Sequence, residues 1–338
     1  MRVGIIAPNY YPETGGNAVT VRRIVRHLEL LGCEVLVAPV GQLSCEELLA
    51  EMKAFAPQLL HAFHGYHGGR VAHALAQALK LPYLVTLTGT DVYQALCDHR
   101  SLDTHTALRG AARLVAFHFC IKKRLAEHLP TLEERTVVIP QGGEVPSSCA
   151  AGEPSADHFT FLLPAGIRPV KNVLFPLQPL AELHAAHHEL RLQLVGPVLD
   201  TSYAKEVMAA LEQYPFASYL GEVTHDAMWH LYRGADVVLN CSLSEGGMAN
   251  SVLEALGCGK ALLVSDVEGN RSIVKDGVIG LLYRDAAEFA DKARQLMTDP
   301  GLRERLGKNG QCVVRDKYPP EAEARAYLQL YQAILEGE

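Results

Sequence analysis

The chain has 338 residues, 49% of them apolar and 20% charged, with a formal net charge of -7. That length accommodates two domains with a core each, and the absence of a biased tract excludes a disordered or fibrous chain. The acidic balance argues against nucleic-acid binding, which relies on clustered Lys and Arg against phosphates.

Eight cysteines without a CxxC pair indicate neither a disulfide framework nor a zinc site, so reduced, mostly buried thiols are expected. No stretch reaches the roughly 18 apolar residues of a membrane span, and the first apolar run is too short for a signal core. A cytoplasmic protein without a transmembrane segment is therefore expected.

Short runs rich in Val, Ile and Leu alternate with helical patterns, the signature of βαβ units around a parallel sheet. VGIIAP (3–8) reads as the first strand, followed by a glycine loop and an amphipathic helix over 18–32 that Gly32 stops. EVLVAPV, QLLHAFH (58–64), YLVTLTG (83–89), RLVAFH (113–118) and TVVIP (136–140) continue the series. Residues 141–158 lack apolar periodicity and read as a linker. The strand series then restarts with FTFLLPAG (159–166), LRLQLVG (190–196), SYLGEV (218–223), DVVLNCS (236–242), ALLVSD (261–266) and GLLY (280–283). The fold class is α/β, two Rossmann-like doubly wound domains facing a cleft. Their expected bounds are 1–150 and 151–318, with a helix over 319–338 packing back on the first domain.

In open parallel sheets ligands sit beyond the carboxyl ends of the strands, and three such places carry chemistry. Gly15 and Gly16, ahead of the first helix, permit close backbone approach to an anion, although a plain turn needs the same residues and no GxGxxG fingerprint is present. PAGIRPVKN (164–172) sets Arg168 and Lys171 after a strand. Two cations at a helix start oppose its dipole unless an anion is bound there, the alternative being a solvated helix end. In SLSEGGMANSVLEALGCGK (242–260), Asn250 or Ser251 can cap a helix running to Gly257 or Gly259. Glu245 is left in the loop and Glu254 in the helix, where carboxylates can accept from sugar hydroxyls. HAAHH (184–188) has helical metal-ligand spacing but reads as helix surface, so no metal and no cofactor is expected.

The runs GIRPVKN, LQLVGP, YLGEVTHDAMWHLYRGADVVLNCSLSEGG and VLEALGCGKALLVSDVEGNRSIVKDGVIGLLY resemble the retaining glycosyltransferases of family 4, which have the GT-B fold. PNYYPETGGNAVTVRRIVRHL and TLTGTDVY extend the resemblance into the first half. It implies a nucleotide-sugar donor, with Arg168 and Lys171 holding its diphosphate and Glu254 its ribose. Glu245 is similar to the first glutamate of the E-x7-E motif, whose loop meets the donor sugar. Gly196, Gly246, Gly247, Met248, Ala249, Asn250 and Ser251 take donor-binding positions, as do Gly15 and Gly16. Asp91 matches the acid of the first-domain T-x-H-G-x-D motif, and His64 stands in as a catalytic candidate.

Three positions depart from that pattern. Eight residues, not seven, separate Glu245 from Glu254, so the family's first glutamate falls on Gly246. Gly166 occupies the usual arginine position, with Arg168 two residues later, and Thr88 replaces the motif's histidine. The acceptor implied is a small molecule, lipid or glycan. A selenosugar-type synthase acting on selenophosphate, a non-catalytic nucleotide-sugar-binding protein and an NAD(P)-dependent enzyme are the alternatives.

Overall fold

A computed structural model of the protein describes residues 1–8, 10, 15–145 and 157–337. The chain divides into two compact units. One holds Met1–Gly142, Gly246–Met248 and Tyr318–Glu338; the other holds Gly143–Glu245 and Ala249–Lys317. Most of the expected linker lies outside the described residues.

The first unit is built on six strands, β1 (Arg2–Ala7), β2 (Glu34–Pro39), β3 (Leu59–Phe63), β4 (Tyr83–Leu87), β5 (Arg113–Ala116) and β6 (Thr136–Val138). They pair in parallel in the order β2-β1-β3-β4-β5-β6. β3 and β4 are buried at every residue, as strands covered by helices on both faces must be. The strand order reverses between β1 and β3, and loops at the carboxyl ends beside such a reversal form a ligand crevice.

The second unit repeats the plan with β7 (Phe159–Pro164), β8 (Leu190–Val195), β9 (Ala217–Tyr219), β10 (Val237–Asn240), β11 (Ala261–Ser265) and β12 (Leu281–Tyr283), ordered β12-β11-β10-β7-β8-β9. Its reversal lies between β7 and β10. Phe161, Leu192, Leu239, Leu263 and Phe289 are at most 1% exposed and form the centre of its core. Each expected strand is present, and all but the last, which ends at Tyr283 as expected, stop earlier than their apolar runs. SYLGEV (218–223) is the clearest case, because the strand ends at Tyr219.

Proline at the start and a stripe of buried Ala324, Tyr327 and Tyr331 define the helix Pro320–Glu336, which packs in the first unit on the helix Gly16–Leu30. Polar groups lock it there. Arg23 Nε donates to Glu323 Oε2 at 2.9 Å, with side chains 4% and 1% exposed, and the Gly142 amide donates to the same oxygen at 3.0 Å. Below the helix, His61 of β3 bonds Tyr331 Oη through Nδ1 and Thr86 Oγ1 through Nε2, both at 2.7 Å, and Thr86 Oγ1 lies 3.0 Å from Tyr327 Oη.

The thiols differ from expectation. Cys45, Cys97 and Cys312 are exposed, and of the free cysteines among the described residues only Cys33 and Cys241 are buried. Cys258 is disulfide-bonded.

Burial drives the His61 imidazole down to about 3, so it stays neutral in the folded protein. The unfolded chain therefore binds the extra proton, and stability falls as pH drops from the ordinary histidine value toward 3. Between about pH 7 and 5, wild type should lose roughly 2 kcal/mol more than His61→Gln in urea unfolding; equal losses would mean that His61 ionises freely in the fold.

Candidate active site

Both loops beside the reversal of the second sheet carry candidate residues. After β7 the backbone makes a bridge from Ile167 to Val198, Arg168 is extended, and Pro169–Lys171 form one 3-10 turn closed by Asn172 at φ 48°. The next α-helix begins only at Leu177. The dipole expectation for this pair therefore fails, because no regular helix starts there. The charge of Lys171 is balanced differently.

Lys171 Nζ donates to Glu245 Oε1 at 2.6 Å, and the same oxygen accepts from Ser242 Oγ at 2.6 Å and Asn240 Nδ2 at 3.0 Å. The Leu243 amide donates to the Val170 carbonyl at 2.9 Å, so one main-chain hydrogen bond and one ion pair hold the two loops together. A further layer holds the donors. Asn270 Nδ2 donates to Asn240 Oδ1 at 3.2 Å, and Ser265 Oγ donates to the Ser242 carbonyl at 2.6 Å. Burial by itself would raise the Glu245 carboxyl, but the adjacent Lys171 ammonium and the three hydrogen bonds outweigh it and hold the group below the usual glutamate value. Arg168 remains beside this cluster with Nε buried and without a hydrogen-bond partner, a group that an incoming anion would satisfy.

Gly196 lies on the neighbouring strand end at φ 145°, where a Cβ would stand 2.4 Å from the Ala165 carbonyl oxygen. Only glycine fits there.

Glu254 belongs to the helix Asn250–Gly257, whose apolar positions Val252, Leu253, Ala255 and Leu256 face the core. Ala249, extended at φ -66° and ψ 120°, takes the cap position without a side-chain hydrogen bond. Asn250 and Ser251, expected as caps, are instead inside the first turn. Glu254 Oε2 accepts from Tyr232 Oη at 2.8 Å and Oε1 lies 2.9 Å from His225 Nε2.

In the first unit, His64 follows β3 at φ 70°, in the left-handed region that few residues other than glycine adopt. Its Nδ1 accepts the amides of Tyr66 at 3.1 Å and His67 at 3.2 Å. The proton therefore sits on Nε2, which donates to Thr90 Oγ1 at 3.1 Å. Burial lowers its basicity and keeps it neutral. Asp91, fully buried, accepts four main-chain amides: Gly89 at 2.7 Å, Gly65 at 2.9 Å, and Thr88 and Val92 at 3.1 Å. Its carboxylate ties the turn after β3 to the turn after β4 and presents no free edge. Thr88 Oγ1, in the motif's histidine position, is buried without a hydrogen-bond partner. Gly15 caps the helix Gly16–Leu30, and a Cβ on it would meet nothing within 4 Å. Residues 11–14 of that loop lie outside the described set.

The structure thus gathers Arg168, Lys171, Glu245 and Gly196 around one strand reversal and holds Glu254 in the same unit, while Gly246–Met248 count with the first unit. His225, Tyr232, Asn240 and Ser242 were not singled out from sequence. Asn240 ends a strand, Ser242 lies two residues beyond it and His225 opens a helix after one, positions where binding residues concentrate. The helix Leu177–His184 ends before His187 and His188, so HAAHH spans a helix end and is not a helical surface.

Residues 151–312 match the model of the family described as glycosyl transferases group 1. A curated relative, glycosyltransferase 1 domain-containing protein 1 of Xenopus tropicalis, is 28% identical over 329 residues, covering 93% of each chain. Among solved structures, Anabaena HepE in complex with UDP-glucose superposes with a TM-score of 0.82 at 17% identity, over 98% of this chain and 100% of that one. Sucrose-phosphate synthase from Thermosynechococcus elongatus gives 0.81 at 18% identity over 100% of both. These structural likenesses, with the two six-stranded parallel sheets, show the GT-B fold. The sequence matches support the group 1 glycosyltransferase superfamily.

Removing the cation of the Lys171–Glu245 pair leaves a buried carboxylate uncompensated. Lys171→Met should lose about 3 kcal/mol at neutral pH. The deficit should shrink on acidification as Glu245, then dominated by burial, takes up a proton. Urea unfolding at about pH 7 and 5 reads both effects; a deficit that does not change with pH would show that Glu245 stays charged without Lys171.

Proposed function

We propose that this protein is a retaining glycosyltransferase that moves a sugar from a nucleotide diphosphate sugar to a small-molecule, lipid or glycan acceptor. The observation that carries the reading is the Arg168–Lys171 turn, held against the Glu245 loop at the strand reversal of the second sheet. A diphosphate leaving group gains negative charge as the glycosidic bond breaks. Fixed cations aimed at that charge stabilise the transition state more than the ground state.

In this reading Arg168 and Lys171 bind the diphosphate. Lys171 has three N–H donors and gives one to Glu245, so two remain for phosphate oxygens. Glu245 acts through Lys171 by fixing its aim. The acceptor hydroxyl gives its proton to the departing phosphate oxygen on the same face of the sugar, so retention needs no protein nucleophile. Neither a cofactor nor a metal is required, because the two cations supply the charge. Asp91 is a positioning residue for the His64 and Thr88 turns. The resemblance to family 4, the HepE complex with UDP-glucose and the superfamily match support a hexosyl donor and make UDP-glucose the first to assay. This reading includes a cytoplasmic location, and among the described residues no helix is long and apolar enough to cross a membrane.

Incubation with UDP-, GDP- and ADP-sugars and candidate acceptors should release the nucleoside diphosphate. Arg168→Ala should lower kcat by about a hundredfold or more with little change in Tm, since Arg168 Nε has no partner to lose. Tight nucleotide-sugar binding without turnover in any mixture would instead identify a binding protein, and an unchanged rate in Arg168→Ala would remove its assigned role.

A further inference from the structure

The carboxylate of Glu254 is clamped at both oxygens by one helix. His225 and Tyr232 open and nearly close the helix His225–Gly234, seven residues apart and therefore on the same face two turns along. His225 Nε2 lies 2.9 Å from Oε1, and Tyr232 Oη donates to Oε2 at 2.8 Å. Each oxygen keeps a second lone pair in the carboxylate plane. Two adjacent hydroxyls can therefore each find an acceptor of set direction, but only while the plane is held.

We propose that His225 positions Glu254 and so sets the preference of the donor site for a ribonucleotide. This rests on the reading of Glu254 as the acceptor for ribose hydroxyls, and goes beyond it by making that recognition depend on a second, titratable side chain.

The two clamps differ in kind. Tyr232 is fully buried, and burial beside Glu254 raises its hydroxyl well above the ordinary value, so it donates at every working pH. His225 keeps about a third of its side chain exposed. Its hydrogen bond to Glu254 raises its basicity against the effect of burial, and the acidic Glu144 and Asp226 act in the same direction. The uncharged Trp229 ring lies 5.1 Å away. As the imidazolium, His225 must present a proton at Nε2; the neutral ring can carry its proton on Nδ1 and leave Oε1 unheld. The preference for ribose should therefore weaken as pH rises through the raised histidine value.

The test is calorimetric titration of the full chain with UDP and GDP against their 2′-deoxy and 3′-deoxy counterparts at about pH 6 and 8. Wild type should favour the ribonucleotide by about tenfold at the lower pH, the range expected when a buried polar acceptor loses its partner, and by less at the higher. His225→Ala should bind both forms alike. His225→Gln, whose amide donates at any pH, should keep the preference without its pH dependence. If His225→Ala keeps the wild-type preference while Glu254→Ala abolishes it, Glu254 reads ribose without His225 and the inference falls alone. If wild type shows no preference, or Glu254→Ala retains it, the reading of Glu254 falls and the inference with it. Should His225→Ala not fold, persistence of the wild-type pH dependence in His225→Gln overturns the proposal by itself.

Discussion

A carboxylate that is nine-tenths buried stays charged only while donors surround it, and the arrangement of the second unit follows from that requirement at Glu245. Its Oε1 accepts from Lys171, Ser242 and Asn240, and these donors come from both loops that flank the strand reversal. Satisfying one acid thus fixes the turn after β7 against the loop after β10. The turn carries Arg168 and the loop leads into the helix of Glu254, so the cations and the second carboxylate inherit their places from this one interaction. Desolvation makes the constraint strict. A loop that drifted would strand the charge, at a cost of several kcal/mol.

The other acids follow the same logic. Asp91 spends its carboxylate on four main-chain amides, Glu254 on two side chains of one helix, and Glu323 on Arg23 and the Gly142 amide. In each case a buried acid gathers segments distant in sequence, because main-chain amides and cations have few other ways to be satisfied indoors. In the proposed reading the division of labour follows: Asp91, Glu245 and Glu323 hold geometry, while the cations and the remaining lone pairs of Glu254 would meet the ligand.

The twelve strands were legible because a parallel sheet covered on both faces demands continuous apolar runs, and VGIIAP or DVVLNCS can be little else. Strand ends were read too long, since apolarity runs past the paired residues: Ile139 is buried in the core beyond the strand Thr136–Val138, and Leu220 follows Tyr219 at 38% exposure. The basic pair and Glu245 were visible as charges in loops after strands, and Glu254 as an acid in the helix that follows. Their partners were not, because the Lys171–Glu245 pair spans 74 residues and the His225–Glu254 pair spans 29, separations at which no local pattern links two side chains. Asn250 and Ser251 had the chemistry of caps, yet the backbone turned one residue earlier at Ala249. Asp91 had the look of a reactive acid, and only the directions of four amides reveal that it is spent.

The bond between Arg23 and Glu323 joins residues 300 apart. The first unit therefore draws its last helix from the far end of the described chain, after every strand of the second unit has been laid down. During synthesis the unit begun first is completed last. Until the helix Pro320–Glu336 emerges, His61 and Thr86 lack their tyrosine partners and Arg23 lacks its carboxylate. The middle of the chain can meanwhile close its own core from local pieces. Loop closure over so long a span adds little to the entropy already lost, but it makes the order of assembly run against the order of translation.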